Sequence, residues 1–198
     1  MLYKNPHELR NIIKHIRGKL STSMQSIASI KIHNKILQLA NYINARQIAL
    51  YFAINGEANL NPVWNTALLD GKQCYFPALQ NDKTLIFLRA DQQTLLKLNI
   101  YKIFEPDMHS SEMASIMQLD ILCIPVVAFD NKGTRLGMGG GYYDRTLSEH
   151  RPKLLLGVAY DFQFQPYIMR RAWDVPLDAV VTPTTMFYWN RHTSRIHE

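Results

Sequence analysis

The 198-residue chain has only two cysteines, Cys74 and Cys123, which lie far apart in sequence. That scarcity excludes a disulfide framework and a structural zinc knot, and it points to a reducing, cytoplasmic setting. Long hydrophobic runs are also missing. The longest uncharged apolar stretch, Ile121 to Phe129, has nine residues with Pro125 inside it, whereas a bilayer span needs roughly 20. The N-terminal residues, Met1-Leu2-Tyr3-Lys4-Asn5-Pro6, carry no apolar core of the secretory kind. The seven histidines show no metal-ligand spacing, and there is no G-x-S-x-G, H-E-x-x-H or Cys–His pattern. Repeats, low-complexity linkers, arginine-rich arms and zinc-finger spacings are absent too.

What is present is enough for a packed domain. Hydrophobic residues make up 47% and charged residues 19%, a balance that fills a core and excludes a disordered chain. The net charge is +6. A basic excess fits nucleic acid, an anionic membrane, a small polyanionic substrate or a plain solvated face. Only Arg10, Lys14, Arg17 and Lys19 cluster, which leaves a solvated face or a phosphate-bearing small molecule ahead of nucleic acid.

Leu9, Ile12, Ile13, Ile16 and Leu20 recur at helical intervals, with Arg10, Lys14 and Arg17 on a neighbouring stripe. Thr22 and Gln25 are spaced like a capping box. A second helix is predicted from Ser23 to about Asn44, burying Ile27, Ile36, Leu39, Ala40 and Ile43. Strands are expected at Ile48–Ala53, Gln73–Pro77, Thr84–Arg89, Leu119–Ala128, Leu154–Ala159 and Ala179–Thr182. Helices are expected at Asn61–Leu69 and Tyr142–Glu149, and an irregular extended piece at Ile100–Pro106. Apolar strands alternating with helices indicate a three-layer, Rossmann-like α/β fold with a mostly parallel central sheet flanked by helices. The expected organisation is a single domain over 1–190 with a polar tail at 191–198.

The densest chemistry lies in Arg135-Leu136-Gly137-Met138-Gly139-Gly140-Gly141-Tyr142-Tyr143-Asp144. Four glycines in five positions stand between a buried strand and a helix. Backbone amides of such a loop can cradle a phosphate, and a tight turn with close helix–strand packing would use glycine in the same way. Arg135 offers a planar donor for phosphate. Asp144 could hold Mg²⁺ or favour the helix dipole. A P-loop is excluded because Tyr142 and Tyr143 stand where lysine and Ser/Thr belong, and Tyr142 also breaks the dinucleotide pattern begun at Gly137.

This segment closely resembles the signature of the 5-formyltetrahydrofolate cyclo-ligases, also called methenyltetrahydrofolate synthetases. The resemblance extends over almost the whole chain, through Leu50-Tyr51-Phe52 with Gly56-Glu57, Phe76-Pro77-Ala78-Leu79 and Glu105-Pro106. It continues in Pro125-Val126-Val127-Ala128-Phe129-Asp130, Trp173-Asp174-Val175-Pro176-Leu177-Asp178 and Val180-Val181-Thr182-Pro183.

The resemblance implies conversion of 5-formyltetrahydrofolate and MgATP into 5,10-methenyltetrahydrofolate, ADP and phosphate. ATP would phosphorylate the formyl oxygen, N10 would attack the activated carbon, and phosphate would leave, so no side-chain nucleophile is required. It further implies ATP contacts from Lys4, Arg10, Arg135, Leu136, Gly137, Met138, Gly139, Gly140, Gly141, Tyr142 and Tyr143. Some relatives carry basic residues in this loop, where Met138 and Gly140 stand here. Neutralisation therefore leans on Arg135, Arg145, Mg²⁺ and the first helix. Asp144 and Asp174 match metal positions. Glu57, Phe52, Tyr101 and Tyr143 match the pterin pocket. Pro6 occupies a position where many relatives have lysine, with Lys4 as its substitute. That departure is what favours the alternative, a non-catalytic folate- or nucleotide-binding relative of the same fold. Expected partners are the folate and MgATP, without nucleic acid or membrane, for a monomer or homodimer.

Overall fold

The computed structural model describes residues 5–108 and 111–189. Lys4 and the tail 191–198 lie outside the described residues. The chain opens with helices α1 (Pro6–Gly18), α2 (Thr22–Leu37) and α3 (Ala40–Asn44), then strand β1 (Gln47–Ala49) and helix α4 (Asn61–Leu69). Strands β2 (Gln73–Leu79), β3 (Leu85–Arg89), β4 (Leu96–Leu98), β5 (Phe104–Pro106) and β6 (Met113–Ala114) follow. Next come β7 (Ile121–Pro125), β8 (Ala128–Asp130) and β9 (Arg135–Leu136), which lead into helix α5 (Tyr142–Thr146). Strands β10 (Leu154–Val158), β11 (Phe164–Gln165), β12 (Ala179–Val181) and β13 (Met186–Tyr188) end the described part.

Local chemistry sets the helix ends. Pro6 opens α1 while the Asn5 side chain accepts the His7 amide at 2.9 Å. The cap of α2 is Ser21, one residue before the expected Thr22. Its Oγ accepts the Met24 amide at 3.2 Å, and Gln25 reaches back to the Leu20 carbonyl. The long helix expected over 23–44 is two helices, with Gln38 and Leu39 between them. Its buried stripe is Ala28, Ile32 and Ile36. Ile27 and Ile43 are 55% and 65% exposed, and Ala40 is also exposed. The i, i+4, i+8 stripe is the one that meets the sheet, and Ile27 lies one position off it.

The main sheet has eight strands in the order β13-β12-β10-β7-β1-β2-β3-β6. Its centre is parallel, with Ile48 opposite both Cys74 and Ile121, and Leu156 opposite Cys123. The antiparallel pairs are at the two ends, β12 with β13, β2 with β3, and β3 with β6. The apolar run 119–128 serves two sheets. It supplies β7 to the main sheet and then, past Pro125, enters β8 of a small sheet ordered β11-β8-β9.

Helices α2, α3 and α4 cover one face of the main sheet through a core that includes Ile32, Ile36, Tyr42 and Val63. The other face is covered by α5, through Tyr142 and Tyr143, and by Phe129 of the small sheet. Leu9 and Ile13 of α1 pack against Val127, Ala128 and Leu136 of that small sheet. The α/β layering expected from the sequence is therefore formed, and the ends of β1, β2 and β7 open toward a common crevice. No helix of the described residues is long and apolar enough to cross a membrane.

Candidate active site

A cavity of about 540 Å³ opens at those strand ends, lined from α1, the loop after β1, the β4–β5 hairpin, the glycine segment and residues 169–174. Arg10, Phe52, Glu57, Tyr101, Asp174 and every residue from Arg135 to Asp144 line it. Of the residues singled out in the sequence, only Lys4 lies outside the described part.

The glycine segment is held from both sides. Arg10 Nε donates to the Gly137 carbonyl at 2.7 Å, which latches α1 to the loop. Burial lowers the pKa of Arg10, as does the nearby Arg171, and Asp174 opposes them. Gly139 and Gly141 have φ of +105° and +70°, the left-handed region that side chains avoid. A Cβ on Gly141 would also stand 2.8 Å from Arg145 Nη1. Arg145 donates to the Gly140 and Lys83 carbonyls and does not line the cavity. It braces the loop from behind, so the neutralising role expected of it does not fit its position.

Arg135 is buried. Its Nη1 donates to the Val175 carbonyl and its Nη2 to Asp144 Oδ1 at 2.6 Å, the oxygen that also accepts the Val175 amide at 3.1 Å. The pair ties β9, α5 and the 174–176 segment together. Burial pulls the Arg135 pKa down, and Asp144 and Asp174 act against it. Asp174 Oδ2 accepts the Arg171 amide at 2.8 Å.

Each of these two carboxylates thus keeps one oxygen without a hydrogen bond among the described residues. The described residues hold no cluster of three or more His, Cys, Asp or Glu suited to a metal. Two carboxylates completed by substrate phosphates are nonetheless a donor set that suits Mg²⁺.

The opposite wall is aromatic and acidic. Phe52 stacks on Phe76 with ring centres 4.2 Å apart and meets Phe104 edge-on at 6.2 Å. The Tyr101 and Tyr142 hydroxyls are 3.1 Å apart, which brings the β4–β5 hairpin against the glycine loop. Burial, then Glu57, pushes the Tyr143 hydroxyl above its ordinary pKa. Glu57 is itself buried. Desolvation raises its pKa, while Arg17 and the Ile54 amide draw it down.

Sequence reasoning gave no site role to Met169, Arg171, Trp173 or Arg17. Met169, Arg171 and Trp173 line the cavity, with the Arg171 guanidinium 5.5 Å from the Trp173 ring. The basic–aromatic spacing just before Asp174 was their one visible signal. Arg17, read as part of a basic stripe, is buried against Glu57.

The model of the 5-formyltetrahydrofolate cyclo-ligase family matches residues 3–183. The 5-formyltetrahydrofolate cyclo-ligase of Haemophilus influenzae is 37% identical over 174 residues, 86% of this chain and 93% of that protein. That of Escherichia coli K12 is 33% identical over 182 residues, 90% of this chain and 100% of its own length. The NMR structure of Aquifex aeolicus 5,10-methenyltetrahydrofolate synthetase superposes with a TM-score of 0.82 at 30% identity, covering 96% of this chain and 99% of that one. Sequence, fold and relatives agree over nearly the full length, and this chain belongs to the 5-formyltetrahydrofolate cyclo-ligase family.

Proposed function

We propose that this chain converts 5-formyltetrahydrofolate and ATP into 5,10-methenyltetrahydrofolate, ADP and phosphate in one cavity with a phosphate wall and a pterin wall. The observation that carries the reading is that Arg10 and the glycine loop share one cavity with the buried Glu57.

The phosphate wall comprises the amides of Gly137, Gly139, Gly140 and Gly141, together with Arg10 and Arg171. Asp144 and Asp174 would hold Mg²⁺ through their open oxygens. Bound there, the ion supplies neutralisation of phosphate charge.

On the pterin wall, Glu57 accepts the amino and ring N–H groups as a carboxylate accepts a guanidinium, and Phe52, Tyr101 and Tyr143 flank the flat ring. With both substrates bound, the formyl oxygen attacks the γ-phosphorus and ADP leaves. N10 then adds to the activated carbon, loses its proton, and the C–O bond breaks to release phosphate. No side chain attacks. The protein aligns the reactants and screens charge.

The test mixes purified protein with 5-formyltetrahydrofolate, ATP and Mg²⁺ and follows the near-ultraviolet absorbance of the methenyl product. A rise that requires all three is expected. No rise from folded protein would overturn catalysis in favour of binding alone. Arg171→Gln probes the phosphate wall: KM for MgATP rises about tenfold, the equivalent of ~1.4 kcal/mol. KM for the folate stays within about twofold. An unchanged KM for MgATP would remove Arg171 from the ATP site.

A further inference from the structure

Arg17 is the largest fully buried side chain of the described residues, at 1% exposure. It lies seven residues after Arg10 on α1, almost two full turns, so one helix presents Arg10 to the glycine loop and Arg17 to the turn that carries Glu57. Arg17 Nε donates to the Asn55 carbonyl at 2.9 Å, and Nη1 stands 3.6 Å from Glu57 Oε1. Glu57 Oε2 accepts the Ile54 amide at 3.2 Å, and the Tyr160 hydroxyl donates to the Gly56 carbonyl at 3.0 Å. Gly56 sits at φ +75°, and a Cβ there would be 3.1 Å from the Arg17 carbonyl. The turn is thus clamped between α1 and Tyr160.

Stability is a poor reason for this arrangement. A buried ion pair is often no better than apolar residues of equal size. This one is long, and it leaves Arg17 Nη2 buried with no hydrogen-bond partner among the described residues. The arrangement makes sense if Glu57 has to remain charged. Glu57 faces the tyrosines Tyr51, Tyr143 and Tyr160. Arg17 is the cation set against it.

We infer that Arg17, which does not line the cavity, is the positioning residue for Glu57, holding its carboxylate ionised and turned to the cavity so that the pterin can be bound. This rests on Glu57 being the pterin-binding carboxylate, as proposed above. Arg17 then sets folate affinity without touching folate or ATP.

The experiment compares Arg17→Met, Arg17→Lys, Glu57→Gln and the double variant Arg17→Met/Glu57→Gln by steady-state kinetics across pH. Arg17→Met raises KM for 5-formyltetrahydrofolate at least tenfold near neutrality. KM for MgATP and kcat stay within about threefold. Without Arg17 the carboxyl titrates higher, so the defect shrinks as pH rises and the charge returns. Arg17→Lys restores most of the affinity. In Glu57→Gln the loss is the same at every pH. The double variant removes both charges together, so it keeps the inference testable even where Arg17→Met does not fold. It binds folate within twofold of Glu57→Gln alone, because Arg17 has nothing left to position.

Equal losses for both substrates, or additive losses in the double variant, would overturn the role of Arg17. Normal folate KM in Glu57→Gln would instead overturn the pterin-wall assignment itself, and the inference with it.

Discussion

Arg135→Met leaves the protein without measurable turnover and about 3 kcal/mol less stable. The side chain is 5% exposed, and it holds Asp144 and the Val175 carbonyl at once. Removing one partner of such a pair leaves the other partly buried and uncompensated, which typically costs about 3–5 kcal/mol. The lower figure applies because Asp144 keeps 27% exposure and the Val175 amide. For a chain of this size, 3 kcal/mol corresponds to a drop in Tm of about 6–12 °C.

Activity falls further than stability accounts for. Losing Arg135 frees Asp144 to rotate, and it detaches the 174–176 segment from β9. Both carboxylates proposed for Mg²⁺ are then misplaced together. Urea unfolding gives the first quantity. Turnover measured well below the shifted Tm gives the second. Asp144→Asn separates the two roles, since an amide still accepts from Arg135 but is a poor Mg²⁺ ligand. It keeps most of the stability and loses about 100-fold or more in kcat, in line with the charge stabilisation a metal clamp supplies. A fully active Asp144→Asn would remove Asp144 from the metal site.

The glycine segment and Asp144 stood out by their own residue types, which suit a phosphate and its cation, whereas Asp174, Glu57, Phe52 and Tyr101 entered only through the family resemblance. All of them line one cavity. Strands β1, β7, β10 and β12 were legible because strands covered on both faces read as apolar runs.

Arg17 was not legible, for a physical reason. The stripe Leu9, Ile13, Arg17 is the buried one, and an arginine occupies a core position because its partner stands 40 residues away in the chain. Helical period alone assigns that place to Ile16, which is 40% exposed. Strands β6, β9 and β11 have two residues each, too few for a period of two to show. The break between α2 and α3 carries neither glycine nor proline, so the sequence reads through it.

Asp130 underlies both segments that build the phosphate wall, which makes Asp130→Ala the second large effect. Asp130 is fully buried. Its Oδ1 accepts the Lys132 and Thr134 amides at 2.9 and 3.0 Å, and its Oδ2 accepts the Ile168 amide at 3.0 Å. One carboxyl therefore fixes the turn that delivers Arg135 and the start of the segment that carries Met169, Arg171 and Asp174. Alanine leaves the Thr134 and Ile168 amides buried and unpaired, at about 1–3 kcal/mol each. The sum is about 4 kcal/mol, or a Tm lower by roughly 8–16 °C.

Asparagine in place of Asp130 would not repair the loss. An amide has one acceptor oxygen, so it serves either the turn or Ile168 and points an N–H₂ group at the other donor. Asp130→Asn therefore loses at least half of the stability lost by alanine. Both variants raise KM for MgATP more than KM for the folate, because Glu57 and Phe52 hang from β1 and do not depend on Asp130. Urea unfolding and substrate-by-substrate kinetics on both variants decide the matter. Wild-type stability in Asp130→Asn, or equal loss for both substrates, would show that the phosphate wall is held by something else.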